Sequence, residues 1–249
     1  MADIFYFFIY VLLGVSPSLI WLLFYLHKDS HPEPKSLVLK VFILGALFAG
    51  PMAILMQLFF LWLSQPSWDF LSFLHNMAQR NWRFFFNILV IAPLTEEFLK
   101  YAVVHWQILK NPAFDEPLDA MLYLIISALG FAAIENITNI FFLNNLTLNN
   151  ALANTLARFL SATLLHTLTS GLLGYFLAKS LFDFKKRFKI FFSGLFLAIA
   201  AHSFYNFLAW QIDENKLIGL GMAIFLGSLI ALVSWQFYLL KKQITICKI

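Results

Sequence analysis

The sequence predicts an all-α integral membrane protein, a polytopic bundle of about seven transmembrane helices in a single domain over 1–249. Of its residues, 61% are hydrophobic and only 12% are charged, a balance that water-soluble domains do not have. The apolar residues are gathered into runs long enough to cross a lipid bilayer. A single cysteine, Cys247, excludes an internal disulfide and a cysteine-based zinc site.

Seven apolar runs are predicted as spans along the chain. They cover approximately 4–26, 37–63, 84–109, 118–143, 151–182, 190–212 and 217–240. The first has no basic segment before it and is too long for a signal-peptide core, so we expect it to be retained. Glycine and proline at Gly45, Gly50 and Pro51 predict a bend in the second span. The stretch 66–82 is predicted as an amphipathic helix at the membrane interface.

Basic residues in the predicted loops indicate the orientation of the chain. Most of them, among them Lys28, Lys185 and Lys241, fall on one set of alternate loops. Because lysine and arginine are retained on the cytoplasmic side, the N-terminus is predicted outside and the C-terminus in the cytoplasm. The net charge of +4 therefore reflects topology, and no nucleic acid is expected as a partner.

Four successive spans carry polar side chains that lipid would reject. They form the motif-bearing core, at about 84–212, and comprise Glu96, Glu97, Lys100, Glu135, His166, His202 and Asn206. Burying one charge at the bilayer centre costs roughly 2.5 to 3.5 kcal/mol, so such residues indicate a functional site. Helical rise places Glu97, Glu135, His166 and His202 at similar depths, roughly 12 to 23 Å below the outer boundary. We therefore expect one shared polar cavity.

The spacing on the third span predicts different partners for the two glutamates. Glu96 and Lys100 are four residues apart and are predicted to pair, whereas Glu97 is turned about 100° away and left free. Two chemistries suit such a cavity. Carboxylates and imidazoles can activate water for hydrolysis, directly or through a metal, and intramembrane carboxylates can also relay ions or protons.

The ordered motifs resemble the PrsW family of intramembrane proteases, which is related to the CAAX-prenyl and bacteriocin-processing membrane proteases. The resemblance covers about 11–208, and its motifs are EExxK at 96–100, FxxxEN at 131–136, His166 with Ser170 and Gly171, and HxxxN at 202–206. It implies a multi-pass peptidase of a bacterial or archaeal cell membrane. The implied substrates are membrane proteins with a transmembrane segment, as in a site-1-type cut of an anti-sigma factor.

The resemblance also implies roles for the motif residues. Glu97 or Glu96 would activate water, Glu135 and His166 would complete the water or metal site, and His202 and Asn206 would stabilise the oxyanion. We predict Glu97 as the base, with a divalent metal such as zinc held by Glu97, Glu135, His166 and His202. A glutamate mechanism without metal stays open. Glu97→Gln is expected to abolish cleavage with little loss of expression.

Two other functions are compatible with the residues alone. A proton- or cation-coupled transporter could use the same intramembrane carboxylates. A catalytically silent protein that binds transmembrane helices would tolerate substitution of Glu97 and His166. The intact motif set argues against the silent protein, and the transporter stays open as the alternative to hydrolysis.

Overall fold

The computed structural model describes residues 2–29, 31–64, 82–212 and 216–242, and these residues form helices and short connections without any strand. The predicted interfacial helix at 66–82 lies almost entirely outside this part of the chain. Ten α-helices are numbered here in chain order. They are α1 (Ala2–Lys28), α2 (Lys35–Leu44), α3 (Gly50–Leu63), α4 (Trp82–Phe86), α5 (Ala92–Gln107), α6 (Pro117–Phe141), α7 (Leu148–Leu160), α8 (Ala162–Phe182), α9 (Arg187–Gln211) and α10 (Lys216–Lys241).

Within the described residues, six helical segments are long and apolar enough to cross a membrane. They are Ile4–Lys28, Lys35–Leu63, Pro117–Phe141, Leu148–Phe182, Arg187–Gln211 and Leu217–Lys241. They confirm the all-α, multi-pass architecture. The predicted third span is helical from Trp82 to Gln107 and carries the charged EExxK motif, but it is not among the six. Seven spans and an external N-terminus therefore stay predictions.

Helix α6 is the centre of the bundle. In its most apolar stretch 94% of the residues are buried, and its neighbours include α1, α2 and α8. Other helices rather than lipid therefore surround most of α6. Glu135 and Asn136 near its end therefore point into protein contacts rather than lipid.

Helices α2 and α6 approach each other backbone to backbone. A Cβ atom added at Gly130 would lie 2.0 Å from the Phe42 carbonyl oxygen, and one at Gly45 would lie 2.2 Å from that of Ser127. Only glycine allows such a close crossing of two membrane helices. The predicted irregularity of the second span is present here as a π-helical turn at Gly45–Ala49.

A second π-helical turn, Asn87–Ile91, immediately precedes α5. In both cases a proline, Pro51 or Pro93, follows two residues after the turn. Proline lacks the N–H group that a helix needs and displaces the carbonyls of the preceding turn, which widens that turn. Pro93 therefore determines how the helix carrying Glu96 and Glu97 enters the bundle.

The predicted fifth span consists of two helices. Helix α7 begins after Thr147, whose side chain accepts a hydrogen bond from the Asn150 N–H. The helical conformation is interrupted at Ser161 (φ −124°, ψ −90°), and α8 begins at the next residue. The residues on either side of this break, Arg158 and Thr163, both contact Asn136 of α6. The break thus lies beside the polar cluster.

The loops that precede α2 and α6 carry a separate acidic group away from the polar cluster. Glu33 accepts a hydrogen bond from Tyr123, and Glu116 lies 2.6 Å from His31. Glu116 also forms a reciprocal capping box with Asp119 at the start of α6. Burial raises the pKa of Glu33 to about 8, although the bond from Tyr123 opposes that shift.

Candidate active site

Glu97 is the anchor of the polar cluster. One of its oxygens, Oε1, accepts hydrogen bonds from Lys100 Nζ (2.9 Å), His202 Nδ1 (2.9 Å) and Thr169 (3.1 Å), while Oε2 accepts one from Ser170 (3.3 Å). The side chain is fully buried. A buried carboxylate needs such a set of donors to remain charged. Glu97 thereby joins α5 to α8 and α9.

Lys100 pairs with both glutamates. Its Nζ lies 3.9 Å from Glu96, the predicted partner, and also 2.9 Å from Glu97, so the expectation that Glu97 is left free was wrong. Residues three and four apart both share a helix face, and spacing alone does not choose between them. Lys100 is fully buried and lies 4.5 Å from the centre of the Phe131 ring. Its charge is therefore held wholly inside the protein.

His166 is held at both ring nitrogens. Its Nδ1 lies 2.8 Å from Lys100 Nζ and its Nε2 lies 2.6 Å from Glu135 Oε2. An ammonium group only donates, so this arrangement assigns Nδ1 as acceptor and places the proton on Nε2, where it is donated to Glu135. The other oxygen of Glu135 faces Arg158, with Nη2 3.0 Å from Oε1.

Glu96 and His202 face each other across the remaining side of the cluster. His202 Nε2 lies 3.7 Å from Glu96 Oε2, beyond hydrogen-bond distance, while its Nδ1 is committed to Glu97. Glu96 retains 12% of its side-chain exposure and accepts a hydrogen bond from Gln57 at 3.2 Å. A carboxylate and an imidazole nitrogen therefore remain available to a water molecule or a substrate.

Three of the side chains could hold a metal ion. Glu96, His166 and His202 each offer a ligand atom, and these atoms lie within 4.8 Å of one another. One carboxylate with two imidazoles is the donor set of many zinc hydrolases, and the contact of His202 with Glu97 is the type that orients metal-binding histidines. Glu96 and the free Nε2 of His202 can bind a metal directly, whereas His166 is held at both nitrogens and would join them only by giving up its bond to Lys100 or to Glu135. On that condition the set fits a divalent metal. It differs from the predicted one, because Glu96 takes the place of Glu97, and Glu135 faces Arg158 and His166.

Asn206 meets the backbone of the second π-helical turn. Its Nδ2 donates to the carbonyl of Ile88 at 3.0 Å. The π-helical partner of that carbonyl would be the N–H of residue 93, which is a proline and has none, while the Ala92 N–H is bonded to Asn87. Asn206 therefore satisfies a carbonyl that Pro93 leaves without a donor. One N–H of the Asn206 amide is therefore used by Ile88. The predicted role of Asn206 in stabilising an oxyanion requires the second N–H of that amide.

Several polar residues of the cluster were not predicted as site residues from the sequence. Gln57 is a lone amide in the second span, and Arg158 is a lone guanidinium in the fifth. Each is an isolated polar residue in an apolar run, a signal that could have singled it out. Asn136 completes this group, because it accepts from Arg158 and donates to Thr163.

Comparison with known proteins identifies the relatives of this chain. The model of the PrsW family intramembrane metalloprotease matches residues 33–234. Protease PrsW of Geobacillus kaustophilus is 29% identical over 220 residues, which cover 87% of this chain and 85% of that protein. Protease PrsW of Oceanobacillus iheyensis is 28% identical over 82% of this chain and 85% of its own length.

A third relative, Protease PrsW of Bacillus subtilis, is 24% identical over 78% of this chain and 80% of that protein. No solved structure matches significantly. The family match extends from Glu33 to α10 and includes every polar residue of the cluster. The chain therefore belongs to the PrsW family of intramembrane metalloproteases.

Proposed function

We propose that this protease cuts membrane proteins at or near a transmembrane segment, with Glu96 rather than Glu97 as the group that activates water. The observation that carries the assignment is the contrast between the two carboxylates. Glu97 is fully buried and accepts four hydrogen bonds, whereas Glu96 is partly exposed and faces the free Nε2 of His202. A general base must reach the water whose proton it removes.

In the proposed reaction Glu96 takes a proton from water as the oxygen attacks the peptide carbonyl carbon. The proton then passes to the leaving nitrogen as the C–N bond breaks, so that a carboxyl and an amino terminus result. His202 orients the water and is itself oriented by Glu97. In the alternative that uses a metal, Glu96 and His202 would instead be ligands, together with His166 once it gives up one of its bonds, and the metal would supply Lewis-acid activation of the water. Asn206 and the His166–Glu135 pair complete the proposed catalytic set.

The resemblance to the family supports the substrate class. A membrane-bound anti-sigma factor, cut on the outer side, is the proposed type of target. Gln57, which donates a hydrogen bond to the partly exposed Glu96, is proposed to contact the substrate.

Comparison of new protein N-termini in cell membranes tests the proposal. Cells carry wild-type protein, Glu96→Gln or the control Asp183→Asn at matched levels. The control removes a carboxylate from the segment after α8, remote from the cluster. We expect new termini near transmembrane segments in wild type and control, and none with Glu96→Gln. Identical profiles from wild type and Glu96→Gln would refute the assignment of Glu96.

A further inference from the structure

We infer that Arg158 is a positioning residue that holds Glu135 against His166, an inference that rests on the proposed function. Arg158 lies on α7, three residues before the break at Ser161. Its guanidinium contacts two adjacent residues of α6. Nε donates to Asn136 Oδ1 at 2.6 Å, and Nη2 lies 3.0 Å from Glu135 Oε1. The second contact is an ion pair rather than a well-aligned hydrogen bond.

Glu135 is the carboxylate of the cluster that most needs such a support. Its side chain is 41% exposed, whereas Glu96 is 12% exposed and Glu97 is fully buried. An exposed glutamate can adopt several rotamers, and only some of them keep Oε2 at 2.6 Å from His166 Nε2. The planar guanidinium fork restricts that freedom, because it engages Glu135 and Asn136 together.

The support is itself anchored in the bundle. Asn136 is buried and donates through Nδ2 to Thr163 Oγ1 at 2.9 Å, on the far side of the break. Thr163 lies three residues before His166 on α8. The contacts therefore form a closed circuit from α8 through Asn136, Arg158 and Glu135 back to α8. Movement of Arg158 would release Glu135 and remove one of the two side-chain contacts that hold Asn136.

The assigned role follows from what Arg158 touches. It contacts Glu135, which in turn orients His166, and His166 is held from its other side by Lys100. Partners that orient active-site histidines in this way typically contribute about 10- to 100-fold to activity or metal affinity. An ordinary ion pair at a helix break would instead contribute to stability alone.

Two variants and two measurements distinguish these roles. Arg158→Gln removes the charge and the fork, Arg158→Lys keeps the charge alone, and the control Lys179→Gln removes a positive charge from the opposite end of α8. The first measurement is the rate at which new termini appear after induction, at matched levels. The second is the ¹⁵N spectrum of the histidine rings in purified protein, with the His166 signals identified by their loss in His166→Gln.

We expect Arg158→Gln to slow cleavage about 10- to 100-fold, Arg158→Lys about tenfold, and the control to match wild type. The His166 ring signals should shift in both Arg158 variants. Wild-type rates with unchanged His166 signals would overturn the inference. Should Arg158→Gln fail to accumulate, Arg158→Lys decides: slower cleavage supports the role, and a wild-type rate refutes it.

The two proposals fail separately. If wild type and Glu96→Gln produce the same termini, the proposed function of Glu96 is refuted. The His166 ring signals alone then test the positioning role of Arg158. If Glu96→Gln stops cleavage but both Arg158 variants cut at the wild-type rate, only the role of Arg158 is refuted.

Discussion

Replacement of Glu97 by glutamine should strongly destabilise the protein, whereas the same replacement at Glu96 should change its stability little. Glu97 is fully buried, and Lys100 and His202 both lie 2.9 Å from its Oε1. Glutamine keeps the size but leaves the fully buried Lys100 charge without its nearest carboxylate. Removing one partner of a buried ion pair typically costs about 3 to 5 kcal/mol.

That free energy corresponds to a fall in melting temperature of about 6 to 20 °C for a chain of this length. Glu96 lies 3.9 Å from Lys100 and keeps a hydrogen-bond acceptor for Gln57 as glutamine, so Glu96→Gln should lower the melting temperature by less than about 3 °C. Thermal unfolding of the purified protein in detergent measures both variants. The expectation from sequence, that Glu97→Gln abolishes cleavage with little loss of expression, predicts no such difference in stability.

Both variants should lose cleavage, so stability rather than activity separates the two roles. Asp183→Asn serves again as the control for loss of a carboxylate. If Glu97→Gln melts within about 3 °C of wild type while Glu96→Gln melts far below it, then Glu97 is not the anchor and the assignment of the base to Glu96 is wrong.

Three further predictions follow from the packing, the loops and the donor set. Gly130→Ala would increase the separation of α2 and α6 by about 1.4 Å and should lower the melting temperature by about 6 to 12 °C. Gly227→Ala, whose added methyl group meets no atom within 4 Å, should leave the melting temperature unchanged. Burial raises the pKa of Glu33 to about 8 from an ordinary 4.5, so the folded protein binds an extra proton between these values and loses stability as pH rises through them. The melting temperature of wild type should therefore fall more than that of Glu33→Gln between pH 5 and 9; equal slopes would contradict this. Chelation of divalent cations should stop cleavage and added Zn²⁺ should restore it, but not in His202→Gln; cleavage that persists in chelator would favour the glutamate mechanism without metal.

The membrane architecture was largely predictable from local sequence. Hydropathy placed the first and last spans at 4–26 and 217–240, close to Ala2–Lys28 and Lys216–Lys241. Such agreement is expected because every backbone N–H and C=O group in lipid must form its hydrogen bond within its own helix. The position of a span therefore depends mainly on the sequence of that segment. Division of the fifth span at Ser161 was not predicted, since no proline or glycine marks the break between α7 and α8.

The residue types of the site were also evident from sequence. Charged and imidazole side chains in apolar runs are costly enough to indicate function wherever they occur. Sequence alone thus singled out Glu96, Glu97, Glu135, His166 and His202, and the structure brings all five into one cluster.

The contacts among these residues were decided by tertiary structure alone. Glu96 and Glu97 are adjacent and chemically identical, and Lys100 is within helical reach of both. Their contacts differ because α8 and α9 present Thr169, Ser170 and His202 to Glu97, while Glu96 is turned towards α3. Spacing along one helix determines which side chains share a face, but the rotation of that helix against its neighbours determines which carboxylate is buried and which can meet a substrate.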